Sequence, residues 1–200
     1  MVRKPTYKRD ALVNVAKKLM YSQGFNITTL VDIANEAGVP LGNLYYYFKT
    51  KVDIGLAVLN LIALEQKTFL EHLNKEPFPK VRLHFFLEHA KQESELIALQ
   101  GCRIGTLCEE FAKEQGMLHN LAAKLMMDAL FWMEAQFHTL GFVEEASDLS
   151  LNLMYRLQGI FLLGHAFKDA NLITQGITSL QNFVREQVSK NVNVLEESIA

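Results

Sequence analysis

The densest chemistry in the chain runs from Asn43 to Lys51, which reads NLYYYFKTK. One side-chain amide, three phenols and two ammonium groups sit close together there. These groups hydrogen-bond to phosphate oxygens and base edges, and phenol rings also pack on sugars or thymine methyls. Leu44 and Phe48, four apart, share one helix face and are expected to anchor it to a core. Tyr45, Tyr46 and Tyr47 point in the remaining directions, so they cannot all be core; the spacing leaves open which of them turns inward. Gly42, without a Cβ, lets a backbone approach closely. Leu41 has two readings, contact with a thymine methyl or partial cover at a helix end. Lys49 and Lys51 flank the start of the next helix, where unpaired amides and the positive dipole end favour a phosphate. Arg3, Lys4 and Lys8 form a basic arm suited to tracking a duplex backbone or entering a minor groove.

Helices must position these groups, because the apolar periodicity is helical throughout and no alternating strand pattern or hairpin turn is found. In the first segment Ala11, Leu12, Val15, Ala16, Leu19 and Met20 form one stripe, and Gly24 follows as a left-handed cap with Phe25 folding back. A second, shorter helix begins at Thr28 or Thr29, with Asp32 placed for a capping box, and buries Leu30, Ile33, Ala34 and Ala37. Gly38 stops it, and Pro40 starts the third helix. Two short helices joined by a glycine turn predict helix-turn-helix geometry. Thr50 and Asp53 repeat the capping signal ahead of a long helix through about Leu73, ended by NKEPFP. Further helices are expected at about 80–99, 102–114, 117–140, 146–168 and 172–193, with a frayed tail after Asn191.

The bulk properties fit that reading. Half of the 200 residues are apolar, enough for a sizeable core. The net charge of -2 conceals an asymmetry. Up to Lys51, eight basic residues face three acidic ones, whereas the remainder holds twelve basic and nineteen acidic residues. A basic first quarter on an acidic body suits a polyanionic partner. No apolar run approaches the ~18 residues of a membrane span, and a cytoplasmic protein is expected. Cys102 and Cys108, six apart on one predicted helix, lie about 9 Å apart along its axis and on different faces, too far to pair. No metal-ligand spacing appears, and neither metal nor cofactor is expected. No nucleophile with an adjacent base, no carboxylate pair and no phosphate-cradling glycine loop can be assembled, so an enzyme is not expected.

The segment TTLVDIANEAGVPLGNLYYYFKTKVDI resembles the DNA-binding signature of the TetR family (TetR/AcrR-like) of bacterial transcriptional regulators. In that pattern a threonine opens the second helix, IA..AGV makes the turn, and G.LYYYF..K is the recognition helix. The likeness covers about residues 8–55; the rest of the chain agrees in length and helical pattern. Pro40 departs from the serine the family often carries there. The resemblance implies that Thr29 and Lys51 contact phosphates, that Pro40, Leu41, Gly42 and Asn43 lie at the mouth of the major groove, and that the tyrosines touch backbone or bases. With Thr28 and Lys49 these make up the candidate DNA-contacting set.

The resulting expectation is an all-α protein with a three-helix helix-turn-helix head over 1–51 and a larger helical ligand-binding and dimerisation domain over 52–200. One recognition helix reads too few base pairs, so two copies and an inverted-repeat operator are expected. Leu153, Leu157, Ile160, Phe161 and Gly164 with Ile177, Leu180 and Val184 are the candidate homodimer stripes, near-heptad in spacing. The resemblance implies a small-molecule cavity for an apolar or aromatic effector, with Phe86, His89, Cys102, Met126, Phe131, Trp132 and Tyr155 as candidate lining. GCRIGTLCEEF is similar to a glycine-cysteine helix opening in one branch of the family, which raises thiol chemistry at Cys102 near a helix N-terminus; an inert buried thiol is the other reading. An alternative function keeps DNA binding but gives the second domain a protein partner.

Overall fold

The structure is a computed structural model and describes residues 5–113 and 116–197. Among these residues there are helices and no strand: α1 (Pro5–Gln23), α2 (Leu30–Glu36), α3 (Leu41–Tyr47), α4 (Lys51–Leu73), α5 (Pro79–Gln92), α6 (Ser94–Gln100), α7 (Arg103–Ala112), α8 (Met117–Thr139), α9 (Ala146–Phe167) and α10 (Ala170–Glu197). None is long and apolar enough to cross a membrane. The basic arm at Arg3 and Lys4 lies outside the described residues. The chain forms two compact units. One comprises the residues through Lys67 with Arg103–Leu125, and the other comprises Thr68–Cys102 with the residues from Met126 on. Helices α4 and α8 each contribute to both.

In the first unit Leu12, Val13, Ala16 and Met20 of α1 pack with Ile33 and Ala34 of α2, Leu44 and Phe48, Ile54 and Val58 of α4, and Leu107 and Phe111 of α7. The α1 stripe is rotated from its expected setting: Val13 is buried while Ala11 is exposed. Three helix ends close by the same device. After α2, α8 and α9 the chain makes a six-to-one bond, Val39 N–H to Ala34 O, Phe142 N–H to Phe137 O and Asp169 N–H to Gly164 O. Such ends need a left-handed residue. Gly38 and Gly141 supply it at φ +63° and +93°, and Lys168 does so at φ 54°.

The second unit is built on α9 and α10, with α5 and α6 against them. Its core holds Leu83, Leu87, Met133, Phe137, Leu153, Leu157, Phe161, Ile173, Ile177 and Leu180. Close approach of α9 to α10 depends on two glycines. A Cβ on Gly164 would stand 2.2 Å from Ile173 Cγ1, and one on Gly176 would stand 2.7 Å from Ile160 Cγ1. The single helix expected over 80–99 is two helices, interrupted at Glu93, whose backbone sits at φ -89°, ψ 8°.

Candidate nucleic-acid interface

Thr29 is the N-cap of α2. Its hydroxyl accepts from Asp32 N–H, while the Asp32 carboxylate accepts from the Thr29 hydroxyl at 2.7 Å and from the Thr29 amide at 2.8 Å. The side-chain bond first, and the backbone bond second, hold the Asp32 carboxyl below its ordinary pKa. The Gly38 turn then aims α3, which Leu44 anchors as a fully buried side chain. Each residue turns the helix by about 100°. Tyr46, two residues past Leu44, therefore faces away from the core and is 74% exposed, and Tyr45 is 43% exposed. Tyr47 returns toward the anchored face and packs half-buried against the core, its ring edge-to-face with Tyr46 at 4.9 Å. The inward tyrosine is thus Tyr47. Pro40 is the N-cap and has no hydroxyl to give, so α3 starts without a side-chain cap. Pro40, Gly42 and Asn43 are exposed and Leu41 is half-buried. Beside this face a cavity of about 420 Å³ is lined by Lys8, Gly38, Asn43, Tyr46 and Tyr47.

The turn after α1 is held from both sides. Glu110 of α7 accepts from Phe25 N–H at 3.1 Å and Asn26 N–H at 2.8 Å. Lys51 donates to Phe25 O and Asn26 O, both at 3.0 Å, and its ammonium lies 4.5 Å from the centre of the Phe25 ring. Phe25 packs edge-to-face on Phe111. The start of α2 is thereby fixed to α7 and α4 as well as to α1.

These contacts correct several expectations. Thr28 is fully buried; its hydroxyl donates to Gly24 O and accepts from Gln23 Nε2, so it supports the turn and faces no ligand. Lys51 has two of its three ammonium donors on carbonyls, which makes it first a clamp on the turn. The anion site expected at the start of α4 is filled from within, since Asp53 accepts from Lys49 N–H and Thr50 N–H. Lys49 reaches back to Tyr45 O at 2.7 Å on an exposed edge. Much of the basic excess is likewise engaged by the fold: Lys17 pairs with Glu65, Lys18 with Glu36, and Arg9 covers the Phe48 ring.

Residues 12–58, which hold most of α1, all of α2 and α3 and the start of α4, match the profile described as "Bacterial regulatory proteins, tetR family". Over that stretch the chain carries the DNA-binding head of the TetR family. Over 68 residues it is 38% identical to the HTH-type transcriptional regulator QacR of Staphylococcus aureus, covering 34% of this chain and 35% of that one. It is 26% identical over 175 residues to the uncharacterized HTH-type transcriptional regulator YxaF of Bacillus subtilis, covering 80% and 86%. The fold matches a crystal structure of a TetR transcriptional regulator from Legionella pneumophila with a TM-score of 0.79 at 19% identity, covering 94% and 99%. Residues 12–58 thus form a DNA-binding helix-turn-helix head of the type found in TetR-family transcriptional regulators, and the chain shares the all-helical fold of their solved structures.

In the second unit the expected dimer stripes are interior. Leu153, Leu157, Phe161, Gly164, Ile177, Leu180 and Val184 are buried and Ile160 packs on Gly176, because their spacing serves the mutual packing of α9 and α10. Among the described residues of α9 and α10, the large outward apolar ones are Tyr155, Leu162, Leu163, Phe167 and Leu172. The expected effector residues also divide. Phe86 and Trp132 stack at 5.4 Å, and the Trp132 indole donates to Asn74. Cys102 and Met126 are half-buried against the core. Phe131 and Tyr155 are exposed, on the sides of α8 and α9 away from that core, so neither lines an interior site. His89 stacks on Phe69 at 4.5 Å and borders an open groove of about 500 Å³ with His72, Glu76 and Phe85. Sequence reasoning missed Val13, Glu110 and Gln158. Only Gln158 left a trace, as a polar residue inside the inward stripe of α9.

Proposed function

We propose that the protein is a homodimeric repressor that binds an inverted-repeat operator and is released by a small molecule. The observation that carries the reading is the outward setting of Asn43, Tyr45 and Tyr46 on a helix fixed by Leu44 and the Gly38 turn. In it Asn43 and Tyr46 read base edges from the major groove, while Tyr45, Lys49, Thr29 and the backbone at Pro40–Gly42 align on phosphates. Leu41 offers its free flank to a thymine methyl, and Tyr47 is mainly a wedge. Any phosphate contact by Lys51 uses its remaining donor. The division into a head over 1–51 and an effector and dimer region over 52–200 is functional in this reading. Physically, the head also leans on α7.

Dimerisation falls to the outward face of α9 and α10. Tyr155, Gly159, Leu162, Leu163 and Ala166 recur at helical spacing on α9. A Cβ on Gly159 would meet nothing, so a second copy has room to approach there. Large exposed apolar groups in one row mark an association surface. Release requires an effector that prefers the state unable to span two half-sites, since equal affinity for both states shifts nothing. Helix α4, shared by both units, is the element through which such a preference reaches the recognition helices.

The test selects duplexes from a random pool with the full chain and measures affinity against salt. An inverted repeat, a dimer by sedimentation, and a log-log salt slope shallower by about one unit in Lys49→Ala support the reading. Selection of no sequence, or binding by a monomer, overturns it.

A further inference from the structure

Gln158 lies on the inner face of α9, one turn beyond Met154 and next to Leu157. Its amide nitrogen has only sulfur for company. Met154 Sδ is at 3.8 Å, Met126 Sδ at 3.9 Å and Cys102 Sγ at 4.0 Å. The three sulfurs arrive from α9, from α8 and from the linker ahead of α7, and they converge on one donor. Sulfur is a weak acceptor, and among the described residues no oxygen accepts from this nitrogen. Gln158 is half-buried, and a primary amide left with such partners is costly to the extent that the fold keeps water from it. An apolar side chain of the same size would serve packing alone. Gln158 and the two thioethers are uncharged, which suits an uncharged ligand.

We propose that Cys102, Met126, Met154 and Gln158 form the effector-recognition subsite. Its ligand is an uncharged aromatic molecule with one carbonyl-type oxygen that accepts from Gln158 Nε2–H. The polarisable sulfurs take the ring, since thioethers make favourable contacts with aromatic edges. This inference rests on the ligand-responsive reading given above and narrows it to one chemical class. It keeps Cys102 and Met126 from the candidate lining and adds Gln158 as the polar contact.

The test uses a matched pair of probes, 2-acetylnaphthalene and 2-ethylnaphthalene, which differ in the acceptor oxygen and hardly in shape. Calorimetric titration of the full chain is expected to show the acetyl probe binding about tenfold tighter, the worth of one sheltered hydrogen bond. Gln158→Leu is expected to erase that preference while still binding the ethyl probe; Gln158→Met stands in if the leucine variant fails to fold. Equal binding of the two probes, binding of neither, or a preference that survives in both variants overturns the subsite. Release of the selected duplex by the acetyl probe is measured alongside. Preferential binding without release leaves the subsite standing and refutes the regulatory reading instead, whereas release without the Gln158-dependent preference does the reverse.

Discussion

Replacing Glu110 with alanine isolates the clamp on the turn after α1. The carboxylate accepts two backbone amides, Phe25 N–H in a part-buried position and Asn26 N–H near solvent. A hydrogen bond to a charged group contributes about 1.5–3 kcal/mol when sheltered. Discounting the exposed bond heavily and the other in part leaves about 2 kcal/mol for the pair. At about 2–4 °C per kcal/mol for a chain of this length, the melting temperature falls by roughly 4–8 °C. The sign is diagnostic. Alanine is the better helix former, so without the clamp the substitution would be neutral or stabilising by a few tenths of a kcal/mol. Glu110→Gln, which keeps one acceptor oxygen, is expected to fall between. Loss of the clamp also loosens the entry of α2, so operator affinity drops while the salt slope stays constant. Thermal unfolding by circular dichroism checks the first effect and anisotropy on a selected duplex the second. A melting temperature within 1 °C of the parent would refute the reasoning.

Three further outcomes follow from the same contacts. Gly164→Ala places a methyl 2.2 Å from Ile173 Cγ1 and is expected to cost about 1–3 kcal/mol by overpacking, read from urea midpoints. Leu163→Glu puts a charge in the exposed row of α9; sedimentation is expected to show monomers with unchanged helicity, and an intact dimer would move the interface elsewhere. The Asp32 carboxyl titrates below its ordinary value because Thr29 donates to it twice. Its contribution to stability is therefore full above the unfolded carboxylate pKa and is lost as pH falls through the lower folded value. Thr29→Ala raises that pKa, as a carboxyl-carbon NMR titration would show.

Local signals made the head readable from sequence. The capping box at Thr29 and Asp32, the glycine turn and the anchor pair Leu44 and Phe48 each act within a few residues, and all three determine where the tyrosines point. Long-range pairing is what sequence hides. Glu110 meets Phe25 across 85 residues of chain, and nothing in either neighbourhood announces it. Lys51 read as a phosphate ligand because a cation beside a helix start suits one; only the fold shows two carbonyls closer at hand. Periodicity identified the apolar stripes of α9 and α10 and could not say whether they face each other or a second copy. The break at Glu93 was invisible for a related reason: Leu83, Leu87, Ala90, Ser94, Ile97 and Ala98 keep one helical phase straight through it.

The central claim is that the outward face of α3 reads DNA sequence, and paired selections test it most directly. Duplexes selected from a random pool by the parent protein and by Asn43→Ala and Tyr46→Ala are sequenced and compared. The account predicts an inverted repeat for the parent, with preference relaxed at particular half-site positions in each variant and worth about 1–3 kcal/mol per lost base contact. Identical preferred sites, bound with equal affinity by all three proteins, would contradict it.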